Sequence, residues 1–205
     1  MAEGVVHSVE ELEALYGLPG EASLIKVSDR IVPVYAQWIE RSQLCILSTV
    51  GPEGTDGSPR GDDGPVVQIA DEKTLLMPDW RGNNRMDSLR NIVRDGRVSL
   101  MFLVPGSNNA VRVNGTAVVS VAEDLINRFS NKGRLPRSVI QITVGEVYSQ
   151  CARALLRSGT WTSGDQSDGL PSVGDMLAAM KSGFDGAEYD AEWDSRAAKT
   201  MWNAD

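Results

Sequence analysis

The chain reads as a mainly β protein, a closed or partly open antiparallel barrel of six or so strands with peripheral helices, and three features point there. Short apolar and β-branched runs recur between Gly-, Pro- and Asp-rich turns through the middle of the chain. Residues 110–121 (AVRVNGTAVVSV) alternate as a half-buried strand does, with Val111, Val113, Ala117 and Val119 on one face and Arg112, Asn114, Thr116 and Val118 on the other. Few helical patterns interrupt these runs.

The elements follow in order. Ser8 and Glu11 form a capping box ahead of Leu12 and Leu15, and Gly17 stops that helix, which reads as a packing appendage. A second helix is expected over 32–41, with Val34, Trp38 and Ile39 facing inward and Pro33 tolerated in the first turn. Residues 44–50 are a strand, GPEG turns, 66–70 resume a strand, and DEK leads into 74–77. A helix over 85–94 ends at Asp95-Gly96, and 97–104 (RVSLMFLV) reads as a central strand. After the PGSNN turn and the 110–121 strand come a short helix at 123–129, a strand at 139–148 and a helix at 150–157. Residues 162–172 are rich in Ser, Gly and Asp, as a linker is. Ser172 and Asp175 cap a helix holding Met176, Leu177 and Met180, and a last helix is expected over 187–202. This divides the chain into a barrel unit with its N-terminal helices, 1–162, and a linker with a helical tail, 163–205, which packs on the barrel or on a second subunit.

Composition excludes several function classes. Twenty basic residues against 28 acidic ones give a net charge of −8, which argues against a general nucleic-acid or anionic-membrane binder. The first residues lack a basic n-region and an apolar h-region, and no apolar run is long enough to span a bilayer, so a cytoplasmic protein is expected. Cys45 and Cys151 stand far apart and His7 is the sole histidine, which leaves no metal site and no histidine base.

The most informative stretch is WRGNNRMDSLRNIV, residues 80–93, a cationic amide-rich loop running into an amphipathic helix. Asn83 or Asn84 is the expected N-cap, with Met86, Leu89, Ile92 and Val93 on the buried face. Such a helix start offers backbone N–H groups and a positive dipole end to a phosphate, with Arg81 and Arg85 adding charge-assisted bonds. Ser58-Pro59-Arg60-Gly61-Asp62 is read as a loop between two strands, supplying a second cation at Arg60 and close approach at Gly61. Arg112 and Asn114 project from one strand face with hydrogen-bonding capacity. Cys151, Arg153 and Trp161 sit about one short helix, bringing a thiol, a cation and an indole near one another.

Taken together these motifs resemble the pyridoxamine 5'-phosphate oxidase-like FMN-binding split barrels, over about residues 32–161, and among them an uncharacterised bacterial subgroup. The resemblance implies a six-stranded Greek-key split barrel, a homodimer, and FMN in clefts between the subunits. It implies that Ser58 and Arg60, with Asn83, Asn84 and Arg85, hold the flavin phosphate, and that Pro78 and Asp79 fall where backbone approaches the ring. Asp62 or Arg112 could tune the ring, and Trp161 could cap the cleft. Departures are clear: Gly64-Pro65 stands where the family has a lysine, Asn84 stands for an arginine that Arg81 or Arg112 would have to replace, and the R-L-x-P ending is missing. The implied protein is an FMN-dependent oxidoreductase acting on a small molecule or electron donor, but not a pyridoxamine phosphate oxidase, and its catalytic residues stay unassigned. The alternatives are a deazaflavin enzyme, a non-catalytic flavin or haem-binding module, and a dimeric interaction protein without cofactor.

Overall fold

The computed structural model describes residues 4–151 and 153–201. Three helices come first: α1 (Val9–Tyr16), α2 (Glu21–Ile25) and α3 (Pro33–Arg41). Ser8 Oγ accepts the N–H of Glu11, as the capping pattern requires, but Glu11 reaches back to the N–H of His7 rather than to that of Ser8. No residue of α1 is buried among the described residues, so the expected packing appendage adds nothing to the core. In α3, Ile39 is buried, but Val34 is exposed and Tyr35 turns inward instead, its hydroxyl donating to the carbonyl of Lys26 and accepting from the N–H of Ser149. Val34 and Tyr35 are consecutive in the helix and so point about 100° apart around its axis, and only one of them faces the core.

Seven strands follow, one more than expected: β1 (Leu44–Gly51), β2 (Gly54–Gly61), β3 (Gln68–Asp71), β4 (Thr74–Asp79), then after α4 (Asp87–Arg94) β5 (Arg97–Leu103) and β6 (Ala110–Ser120), and after α5 (Glu123–Asn127) β7 (Ser138–Gln150). All neighbours are antiparallel, in the order β2-β1-β5-β6-β7-β4-β3. The extra strand is β2, which takes up the segment read as a loop. Its Gly, Pro and Asp content hides it, and it is tolerated because β2 lies at the sheet edge, where Pro59 owes no N–H to a second neighbour. The order leaves β2 and β3 as free edges, so no strand pairing closes the barrel. The sheet is nonetheless rolled. In a flat sheet β2 and β4 would stand about 24 Å apart, five strand spacings, yet Arg60 on β2 meets Asp79 on β4 at 2.7 Å.

One side-chain cluster fills the roll. Cys45 and Leu47, Val98, Leu100 and Phe102, Val111 and Val113, Ile140 and Ile142, and Leu75 and Met77 come from five strands and are buried. Gly115 marks a bulge in β6, where a Cβ would lie 2.0 Å from the carbonyl oxygen of Thr143. Helix α4 covers β1 through Ile92 and a buried polar bond, Asn91 Nδ2 to Thr49 Oγ1 at 3.1 Å. Its packing face is Ser88, Asn91 and Ile92, whereas the expected Met86 and Val93 are exposed.

After α6 (Arg153–Ser158) the tail holds α7 (Val173–Met180), α8 (Gly186–Ala191) and α9 (Trp193–Thr200). Ser172 and Asp175 form the full capping box of α7. The single last helix expected over 187–202 is broken at Glu192, and Trp202 lies outside the described residues. Helices α7 and α8 touch through Gly174 and Gly186, where no Cβ would fit, and Asp190 accepts from the Ser172 hydroxyl and the Gly174 N–H. Among the described residues no helix is long and apolar enough to cross a membrane.

Candidate functional site

Rolling the sheet brings β2, the end of β4, the start of α4 and residues 137–138 around one cleft of about 520 Å³. Ser58 and Arg60 enter from β2, Asp79 from β4, and Asn83, Asn84 and Arg85 from the connection to α4. These six expected residues are therefore neighbours in space. Asn84 and Met86 both take left-handed backbone conformations (φ 61° and 60°), and these two turns aim the connection into the helix. Neither Asn83 nor Asn84 is the N-cap. Met86 holds that position without a side-chain bond, and Asn83 Oδ1 instead accepts the N–H of Arg85 at 3.0 Å. The first-turn N–H groups of α4 thus have no capping side chain, which suits an anion from outside the helix.

The cations of the cleft differ in their engagement. Arg60 is largely buried and its Nη1 donates to Asp79 Oδ1, while its Nε is buried with no hydrogen-bond partner. Arg85 is 80% exposed and paired with Asp87 in the first turn of α4. That pairing raises the Arg85 pKa, chiefly through the hydrogen bond to Asp87. Sequence reasoning missed Arg137, which lines the cleft, donates to Asn84 Oδ1 at 2.7 Å and, among the described residues, pairs with no carboxylate. Its backbone N–H also bonds the carbonyl of Asp79, so the start of β7 fixes it there. The signal was available only through topology, since 137 reaches the site because β7 pairs with β4. Asp56, also missed, accepts from the Ser88 hydroxyl at 2.5 Å. Three arginines and three aspartates line the cleft, so their formal charges balance and donor geometry, not net charge, distinguishes it.

The remaining expected residues lie elsewhere. Pro78 is buried within β4 opposite Val139. Gly61, Asp62 and Arg81 line an adjoining cavity of about 810 Å³ that shares Gly82 and Asn83 with the cleft and is walled on its far side by Tyr189, Trp193 and Arg196 of the tail. Asp62 Oδ2 accepts from Trp80 Nε1 at 3.0 Å; burial pushes its pKa up, and the Trp80 bond opposes that. Arg112 is not brought to the cleft and so does not replace the missing arginine within this chain: it lines a separate groove, 5.4 Å from the Tyr148 ring centroid, with its Nη1 bonded to Gln150. The outward projection of alternate β6 residues sends it to the opposite side of the sheet from the core. Trp161 does not cap the cleft; its indole N–H bonds the carbonyl of Ser107 at 2.8 Å in the β5–β6 turn. Cys151 and Arg153 share the Arg112 groove, without Trp161. Cys45 is buried, and burial pushes its thiol pKa up to about 12.

Comparison with known proteins agrees with this architecture. The family model described as pyridoxamine 5'-phosphate oxidase matches residues 31–151. Among solved structures, HupZ of Group A Streptococcus is 18% identical, with 60% of this chain and 95% of that chain covered and a TM-score of 0.50. An FMN-binding protein from Syntrophomonas wolfei is 11% identical, covering 69% and 95%, with a TM-score of 0.42. An F420 reductase is 17% identical, covering 58% and 98%, with a TM-score of 0.41. No curated protein sequence matches the chain. The rolled antiparallel sheet, its position in the sequence and the family match over more than half of the chain lead to one assignment: this protein belongs to the pyridoxamine 5'-phosphate oxidase-like split-barrel family.

Proposed function

We propose that the chain is an FMN-binding flavoprotein, an FMN-dependent oxidoreductase acting on a small molecule, and that it works as a cytoplasmic homodimer with the cofactor at the subunit interface. The observation that carries the reading is the Arg60 Nε, a buried donor with no partner on the wall of a cleft that also holds Arg85, Arg137 and the uncapped start of α4. A buried unsatisfied donor is costly, and a phosphate oxygen would satisfy it. Arg60, Arg85 and Arg137 would hold the phosphate, with Asn83, Asn84 and Ser58 supplying further polar contacts. Bound FMN supplies hydride or electron transfer, and the protein contributes orientation and electrostatics. Asp62 lies in the adjoining cavity, where burial raises its pKa and the Trp80 hydrogen bond opposes that rise. Two unpaired cysteines suit a reducing compartment.

The test is an ultraviolet–visible spectrum of the purified protein with mass identification of the ligand released on heating, followed by FMN titration of Arg60→Ala and Arg85→Ala. A flavin spectrum, an FMN mass and about tenfold weaker retention in each variant are expected, the scale of one lost charge-assisted bond. A deazaflavin spectrum would reassign the cofactor. A colourless protein that takes up no FMN would overturn the reading and leave a barrel serving protein interactions. Release of the cofactor on dilution to monomer tests the shared cleft, and a monomer that keeps FMN refutes it.

A further inference from the structure

Helix α1 has eight residues and α2 has five, and neither buries a residue among those described. Isolated helices shorter than about 12–15 residues are marginal in water, so such helices depend on packing. Large apolar side chains are nonetheless exposed throughout this arm, and in α1 Val9, Leu12, Leu15 and Tyr16 stand on one face. A contiguous apolar face of this kind marks a surface for a partner. Its charge indicates which one. Residues 4–25 hold four glutamates and no lysine or arginine. The opposite composition occurs later in the same chain: residues 125–145 hold no acid, and Arg128, Lys132, Arg134 and Arg137 fall within ten of them. That basic segment leads into β7 and carries the exposed Leu135. The register that sets Ser120 opposite Val139 brings the exposed Val118 and Val121 to the same end of the sheet.

We propose that α1 of one copy docks on the basic segment 128–137 of a second copy, reciprocally, so that two arms clasp the dimer. The inference rests on the homodimer reading above and names the surfaces that hold it. Both surfaces are apolar and opposite in charge, which fixes the pairing and suppresses arm against arm. Within one chain they belong to opposite ends of β7. Ser28, at the root of the arm, pairs with Val147, whereas the basic segment enters at Ser138, about 30 Å away along the strand. A two-fold pair satisfies both contacts at once, because each copy offers one arm and one segment, and no complementary surface is left to add a third copy. Arg137 belongs both to the segment and to the wall of the cleft, so the docked arm sits at the rim of the cleft that the homodimer reading places between subunits.

The test is analytical ultracentrifugation of the full-length, FMN-loaded protein from nanomolar to micromolar concentration. Glu10→Lys with Glu13→Lys, and separately Arg128→Glu with Lys132→Glu, each weaken the dimer at least about tenfold without changing the far-ultraviolet circular dichroism, and the chain carrying all four changes recovers most of the loss. In a Cys151→Ser background, chains with Glu13→Cys mixed with chains with Ser130→Cys give a covalent dimer with a short bis-maleimide. A wild-type chain that stays monomeric throughout overturns this proposal together with the homodimer reading. A dimer indifferent to both charge reversals, or still weak with all four changes, overturns the docking alone and leaves the homodimer reading standing. A chain with both cysteines that cross-links only within itself places α1 on its own basic segment and overturns the second copy as occupant. A dimer without any cross-link leaves the face to a different protein and likewise overturns the proposal.

Discussion

Removing the Arg60 guanidinium should lower stability and cofactor affinity together, and the two losses can be separated. Arg60 and Asp79 have side chains only 24% and 14% exposed and meet at 2.7 Å, joining strands that are five places apart in the sheet. Arg60→Ala leaves the Asp79 carboxylate largely desolvated without its cation. Breaking a fully buried pair costs about 3–5 kcal/mol, and the residual exposure here brings the expected loss to about 2–3 kcal/mol. Asp79→Asn keeps an acceptor for Nη1 and removes only the charge, so about 1 kcal/mol is expected. The double variant should cost less than the sum of the two, with a coupling of about 1–2 kcal/mol. Urea unfolding of the cofactor-free protein, followed by tryptophan fluorescence, measures all three. An Arg60→Ala variant within about 0.5 kcal/mol of wild type, or strictly additive costs, would refute the idea that this pair holds the rolled sheet together. Flavin fluorescence quenching then reports affinity, where Arg60→Ala should lose about 1–3 kcal/mol. Lost stability with unchanged FMN affinity would leave Arg60 a structural residue and remove it from the cofactor site.

Four further outcomes are expected. Asp87→Asn releases Arg85 and removes an acid from the first turn of α4, so FMN affinity should rise by about two- to fivefold, the range of an exposed pair; a fall in the same titration would mean that Asp87 positions Arg85 for the ligand. Burial raises the Asp62 pKa, so its charged form opposes folding, and the stability associated with this group is full at acid pH and declines as pH rises through the folded value. Asp62→Asn, which keeps an acceptor for Trp80, should therefore raise Tm at neutral pH with a gain that vanishes below about pH 4; an equal shift at both pH values would exclude titration as the cause. A thiol reagent at pH 8 should label exposed Cys151 quickly and buried Cys45, with its pKa near 12, only on unfolding; fast reaction of both would show that β1 opens locally. Gly115→Ala should cost more than about 3 kcal/mol or prevent folding, because the added Cβ meets the Thr143 carbonyl rather than a movable side chain; a soluble variant with wild-type Tm would mean that the bulge slips at little cost.

Much of the fold was legible because period-2 burial is written into single strands. The clearest case is β6, whose inward Val111, Val113 and Ala117 are all buried as the alternation predicts. Strand β2 was not legible, since an edge strand needs neither an apolar face nor a full set of N–H donors, and its Gly and Pro residues signal a turn instead. The α4 cap was misread for a related reason: either asparagine could serve, but Asn83 closes a turn onto Arg85 and leaves Met86 to begin the helix. In the candidate site, residues close in sequence (Asn83, Asn84, Arg85) and the separate segment at Ser58 and Arg60 could be joined on paper. Arg137 could not, because only the pairing of β7 with β4 brings it across more than fifty positions to bond Asn84.

The distribution of charge decides how the cleft can take up an anion. In the cleft each arginine already has a neighbour: Asp79 for Arg60, Asp87 for Arg85, and the amide of Asn84 for Arg137. An arriving phosphate therefore exchanges partners more than it gains net attraction, and what it adds is satisfaction of Arg60 Nε and of the uncapped N–H groups of α4. Such binding depends on donor direction and only weakly on ionic strength. A chain with a net charge of −8 can still take up an anion at the cleft, because local composition and not the total charge governs the site.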